Sequence, residues 1–203
     1  MGRESRPEDR GLILGAAAVL VAAAAPSAQT VVLIECRMSE CQWSRDVSRT
    51  LMAANADGQF VRYVTLDATS AHPNDVYPDR FSPRLHLRWK RITSYAFCSK
   101  SRPAIVFKFD LDGRHHWFAH LLDLTNLYGY NAPSAVAYMR ACHGLGGSGA
   151  NLERLAKRLG YHGGTPSEQI ELAKPSDILD RAVVMGKVAA ASRYPCGGAV
   201  TDG

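Results

Sequence analysis

The chain has no cysteine pair at C-x-x-C spacing, no G-x-S-x-G segment and no internal repeat. The first absence removes the ligand spacing of structural zinc modules. The second removes the nucleophile elbow of α/β-hydrolases. The third excludes solenoids and propellers. Acidic residues are scarce in one region: between Asp79 and Lys108 the only acid is Asp79, against eight Lys and Arg. No apolar run reaches the about 20 residues of a comfortable membrane span.

The longest such run, Gly11 to Ala28, carries no charge from Leu12 to Ala25. Arg3, Arg6 and Arg10 precede it, and Ala24, Ala25, Pro26, Ser27 and Ala28 follow. A basic start, an apolar middle and a small-residue end describe a secretory signal peptide over residues 1–28. The cleavage point is blurred, because Ala22 and Ala24 form one A-x-A pair and cutting after Ala28 is another choice. Glu4, Glu8 and Asp9 cancel the three arginines, which keeps an uncleaved anchor open as the alternative. The signal predicts an exported protein, periplasmic or extracellular, with no stable membrane span after cleavage.

Both ends of the charge balance survive that cut. The signal carries three bases and three acids, so the remainder keeps the net charge of +5. With 46% apolar residues the chain is globular rather than disordered. All five cysteines, Cys36, Cys41, Cys98, Cys142 and Cys196, lie beyond the signal, where disulfides are the default. Spacing alone leaves the pairing open. Local structure favours Cys36–Cys41 and Cys98–Cys142, with Cys196 left over in a Gly-rich tail at 193–203. No metal site and no cofactor is expected.

Strands are expected first and helices afterwards, which argues for an α+β fold. Val31 to Cys36, Gln59 to Leu66, Leu85 to Lys90 and Ser94 to Cys98 read as strands. Asp67 to Pro83 reads as a loop, from Pro73, Pro78 and Pro83. Ala104 to Asp110 and His115 to Leu122 flank Asp112-Gly113, a hairpin signal. From Pro133 the period changes to that of a helix, with Ala135, Tyr138, Met139 and Cys142 on one stripe and Gly144 as its stop. The expected architecture is a mainly antiparallel sheet over 31–124 packed by a helix at 133–143. A stapled domain at 29–144 is followed by a Gly-rich linker at 145–150 and a helical appendage at 151–192. In the appendage, Leu152, Leu155, Ala156 and Leu159 mark one helix, Thr165 to Glu168 fits a capping box, and Ser176 to about Ala191 forms a last helix.

Six sets of residues carry chemistry of interest. Gly144 to Gly149 matches G-x-G-x-x-G, but a helix precedes it where a dinucleotide site needs a strand, so it reads as linker. His116 and His120 would stand about 13 Å apart along a strand. They read with His115 as solvent-facing side chains. Cys142 and His143 are adjacent, which is not how a nucleophile meets its base. Asp110, Asp112 and Asp123 near the 104–124 hairpin offer carboxylates for an exported hydrolase. Turn chemistry explains the first two more simply. Leu155 to Tyr161 faintly resembles a DNA-binding helix pair, which export opposes, so no nucleic-acid partner is expected.

The sixth set is the basic stretch: Arg84, His86, Arg88, Lys90 and Arg91. Strand alternation would put Leu85, Leu87 and Trp89 inward, and His86, Arg88 and Lys90 outward at about 7 Å intervals. Such a row matches phosphates, sulfates or carboxylates on a polymer. The leading expectation is a non-enzymatic binding module whose basic sheet face holds an anionic envelope polymer or protein. The alternatives are the hydrolase and a structural role through the C-terminal helices.

Overall fold

A computed structural model describes residues 30–127, 131–145, 151–165 and 167–191. The signal peptide at 1–28, most of the linker, Pro166 of the capping box and the tail with Cys196 lie outside the described residues. Among the described residues, seven strands follow one another in chain order across a single antiparallel sheet. They are β1 (Val32–Arg37), β2 (Glu40–Asn55), β3 (Gly58–Ala71), β4 (Lys90–Ser99), β5 (Ala104–Leu111), β6 (Arg114–Leu121) and β7 (Gln169–Leu172). The described residues also include three α-helices, α1 (Ala132–His143), α2 (Leu152–Arg158) and α3 (Arg181–Ala191), and a 3-10 turn at Pro175–Leu179. Among the described residues no helix is long and apolar enough to cross a membrane.

Sheet residues alternate between two cores, because successive side chains of a strand point to opposite faces. Tyr63, Ala96 and Ile105 pack with Ala135, Tyr138 and Met139 of α1 and with Leu152 and Ala156 of α2. Their neighbours Phe97, Ala104 and Val106 face the other way, onto Ile178 of the 3-10 turn and onto Val184 and Val188 of α3. Helices therefore cover both faces of the sheet. The β5–β6 turn uses Asp112 at φ +50° and Gly113 at φ +72°, both left-handed, as a tight hairpin requires. Gly144 at φ +66° stops α1 and donates its N–H to the Arg140 carbonyl.

Two disulfides fix the frame. Cys36 and Cys41 face each other across the β1–β2 hairpin. Cys98 of β4 bonds Cys142 of α1, with Cα atoms 5.4 Å apart.

Three expectations are corrected, and one strand is added. Residues 40–55 form the long strand β2, although no period-2 pattern marks it. Its register against β3 steps over Val47 and Met52, and each such bulge flips the phase of the side chains. The loop expected from Asp67 is instead strand as far as Ala71, paired to β2. Leu85 to Trp89 is an irregular leg, not a strand, because β3 pairs with β4 only as far as Asp67 opposite Lys90. Its alternation survives in exposure alone: Leu85, Leu87 and Trp89 are half-buried, while His86, Arg88 and Lys90 are exposed. Finally, the region after α1 is not a purely helical appendage. Gln169–Leu172 adds to the edge of β6, with Ile170 and Leu172 buried, and Asp180 splits the last helix by accepting the Ala182 and Val183 amides.

Candidate functional site

Between one face of the sheet and α1 lies a cleft of about 460 Å³, within the size range of small-ligand sites. Its floor follows strand periodicity. β3 contributes Tyr63, Thr65, Asp67 and Thr69, β4 contributes Lys90, Ile92 and Ser94, and β5 contributes Ile105 and Phe107. The α1 wall follows helical periodicity, with Pro133, Ser134, Ala137 and Arg140 on one side of the helix. Ile34, Gln42, Trp43 and Ser44 close the far end.

Polar groups at the base of the cleft are already engaged. Arg140, buried on α1, forms an ion pair with Asp46, and Tyr63 donates its hydroxyl to the same carboxylate. Burial and then that bond push the Tyr63 phenol far above its ordinary range. A buried guanidinium matched to a carboxylate fixes geometry rather than attracting ligand. Asp67 accepts the Ser44 hydroxyl at 2.7 Å, and Trp43 Nε1 donates to Ser70 Oγ at 2.8 Å. Ser134 Oγ lies 3.0 Å from His120 Nδ1.

The mouth differs from the base. Arg88 and Lys90 are exposed, line the cleft, and form no ion pair among the described residues. Asp67, opposite Lys90 in the register, is the one acid among the lining residues. The irregular leg that carries Arg88 is held by aromatic contacts. Phe81 sits 5.5 Å from Trp43 and 6.2 Å from Trp89, and the Arg45 guanidinium lies 5.0 Å over Trp89.

Of the five basic residues expected to form a row, the structure brings Arg88 and Lys90 to the cleft. Arg84, His86 and Arg91 do not line it. The even pitch expected from a strand is absent, because only Lys90 and Arg91 of the five lie on one. Asp110, Asp112 and Asp123 are not brought together there either. Asp110 pairs with His115, Asp112 forms the hairpin turn, and Asp123 accepts from the Thr125 amide and hydroxyl.

His116 meets Glu171 of β7 at 2.6 Å. His120 is not solvent-facing as expected. It is 7% exposed beside α1, and burial pulls its pKa below the ordinary value. Among the described residues no group of three His, Cys, Asp or Glu could hold a metal.

A second polar cluster lies at the other end of α1. Tyr138 exchanges hydrogen bonds with the Ser99 backbone and meets Tyr161, which meets His143 Nε2 at 2.7 Å. Lys100 caps it, with Nζ 3.9 Å from the Tyr161 ring centre. Neither this cluster nor the Asp46–Arg140 pair is marked in the sequence, since each joins residues far apart in the chain.

Comparison with protein families, with characterised proteins and with solved structures finds no match to this chain.

Proposed function

We propose that this chain is an exported binding module that takes an anionic envelope component into the cleft under α1, with Arg88 and Lys90 as its cationic mouth. The observation that carries the reading is their placement: two exposed cations without ion-pair partners among the described residues, at the edge of a largely apolar cleft. Apolar walls with a few placed charges orient a ligand and exclude water around its contacts. Removal of residues 1–28 on export belongs to the same reading, and the two disulfides support it, since they persist in oxidising compartments. Hydrolysis by carboxylates near the hairpin gains no support, because Asp110, Asp112 and Asp123 are spent on local contacts outside the cleft.

Trp43 lines the cleft and Trp89 borders Arg88, so tryptophan emission reports occupancy. Titration with dextran sulfate is expected to give a saturable change that disappears at high salt, where exposed charges are screened. An Arg88→Glu/Lys90→Glu variant should not respond. No change in the parent protein, or an equal change in the variant, rejects the proposal.

A further inference from the structure

β4 and β5 form a fork. Their pairing is confined to Tyr95–Phe97 against Ala104–Val106. Yet β4 remains paired to β3 as far as Lys90, and β5 remains paired to β6 as far as Leu111. Past the split, Lys90–Ser94 and Phe107–Leu111 are therefore extended strands with a strand partner on one side only, among the described residues. The cleft lies at this split, since Lys90, Ile92 and Ser94 line it from one arm and Phe107 from the other.

We infer that the component bound here is an extended polypeptide segment with acidic side chains, which adds as a strand to the open edge of β5 at Phe107–Leu111. This rests on the binding reading above. An extended strand offers unpaired N–H and C=O groups along its free edge. An acyl chain laid in the fork would cover those groups without satisfying them. A peptide backbone satisfies them and is the ordinary guest of an open edge.

The two arms divide the work. The β4 arm carries Lys90 where the leg delivers Arg88, so ionic contacts fall on that side. On the β5 arm Phe109 and Leu111 are about half-exposed, at 52% and 41%, and lie on the same strand face as the cleft residue Phe107. Their partly bare surface suits the apolar side chains of a guest strand. The one carboxylate of this segment, Asp110, is bonded to His115, which leaves the fork with a positive balance. An acidic guest complements it, whereas a basic one would meet like charge.

The test begins with selection of phage-displayed random decapeptides against the intact disulfide-bonded protein. The enriched sequence is then synthesised in two backbone-methylated forms, each blocking alternate amides and hence one edge of the peptide. Acid-containing sequences of alternating character are expected. One methylated form should bind at least tenfold more weakly, and the other within twofold of the parent peptide. Amide exchange at Phe107–Leu111 should slow in the complex, and Arg88→Glu/Lys90→Glu should weaken binding at least tenfold.

A peptide that needs Arg88 and Lys90, but tolerates both methylation patterns or leaves those amides unprotected, overturns strand addition and leaves the cleft reading standing. Binding of dextran sulfate with no acidic peptide enriched does the same. Failure of both probes removes both claims.

Discussion

The hydroxyl of Tyr161 lies 2.9 Å from that of Tyr138, which in turn bonds both the amide and the carbonyl of Ser99. Through these contacts the chain leaving α2 is tied to α1 and to the end of β4. The hydroxyls are buried, so removing one strands its partners without water. Tyr138→Phe is expected to cost about 1–3 kcal/mol, and Tyr161→Phe less, since it leaves the Ser99 bonds intact. Chemical denaturation of the two variants checks the order.

Stability should fall in mild acid. Burial lowers the pKa of both His120 and His143, and for His143 the charges of Lys100 and Arg49 add to it. Folding thus favours the neutral rings. The unfolded chain takes up their protons first once pH drops below the ordinary value of 6.5. The contribution of these rings is complete above that value and declines as pH falls toward the lowered folded values. Melting temperature is expected to fall as pH drops below about 6.5. The drop should be smaller in a His120→Gln/His143→Gln variant.

The Cys98–Cys142 bond closes a loop with a sequence separation of 44. Loop-closure entropy then assigns it about 4 kcal/mol, against about 2 for the short Cys36–Cys41 loop. A Cys98→Ser/Cys142→Ser variant should be the more destabilised of the two double variants in denaturant melts, and it should loosen α1 first. Hydrogen exchange along Ala132–His143 measures that.

The sequence was most legible where one local signal decides the structure. Asp112-Gly113 marks the β5–β6 turn, Pro133 and Gly144 bracket α1, and the stripe through Tyr138 and Cys142 faces the sheet. β2 was illegible because bulges at Val47 and Met52 break the alternation by which a strand is recognised. β7 offers only Gln169, Ile170, Glu171 and Leu172, too short for a period to stand out. Leu85 to Trp89 misled for the opposite reason: it alternates in exposure while lacking a strand to pair with. Of the site, the cations Arg88 and Lys90 were visible as charge. The cleft they serve was not, since its walls come from five strands and a helix.

Truncating the irregular leg should cost less than truncating the core. Trp43, 1% exposed, belongs to the core, so Trp43→Ala should cost about 3–5 kcal/mol. Leu87 is only half-buried on the irregular leg, so Leu87→Ala should cost about 1 kcal/mol. Thermal melts of the two variants separate a leg from a buried strand, which would make the losses comparable.

The central claim is that Arg88 and Lys90 act as a cationic mouth rather than as two charges among many. Retention on a carboxylate matrix at low salt tests it most directly, with Arg84→Glu/Arg91→Glu as the control of equal charge change. Exposed charges contribute about 0–1 kcal/mol each to stability, so both variants should melt near the parent. Arg88→Glu/Lys90→Glu is expected to pass through unretained, while the Arg84 and Arg91 variant elutes close to the parent. Equal losses in the two variants, or parental retention of Arg88→Glu/Lys90→Glu, would contradict it.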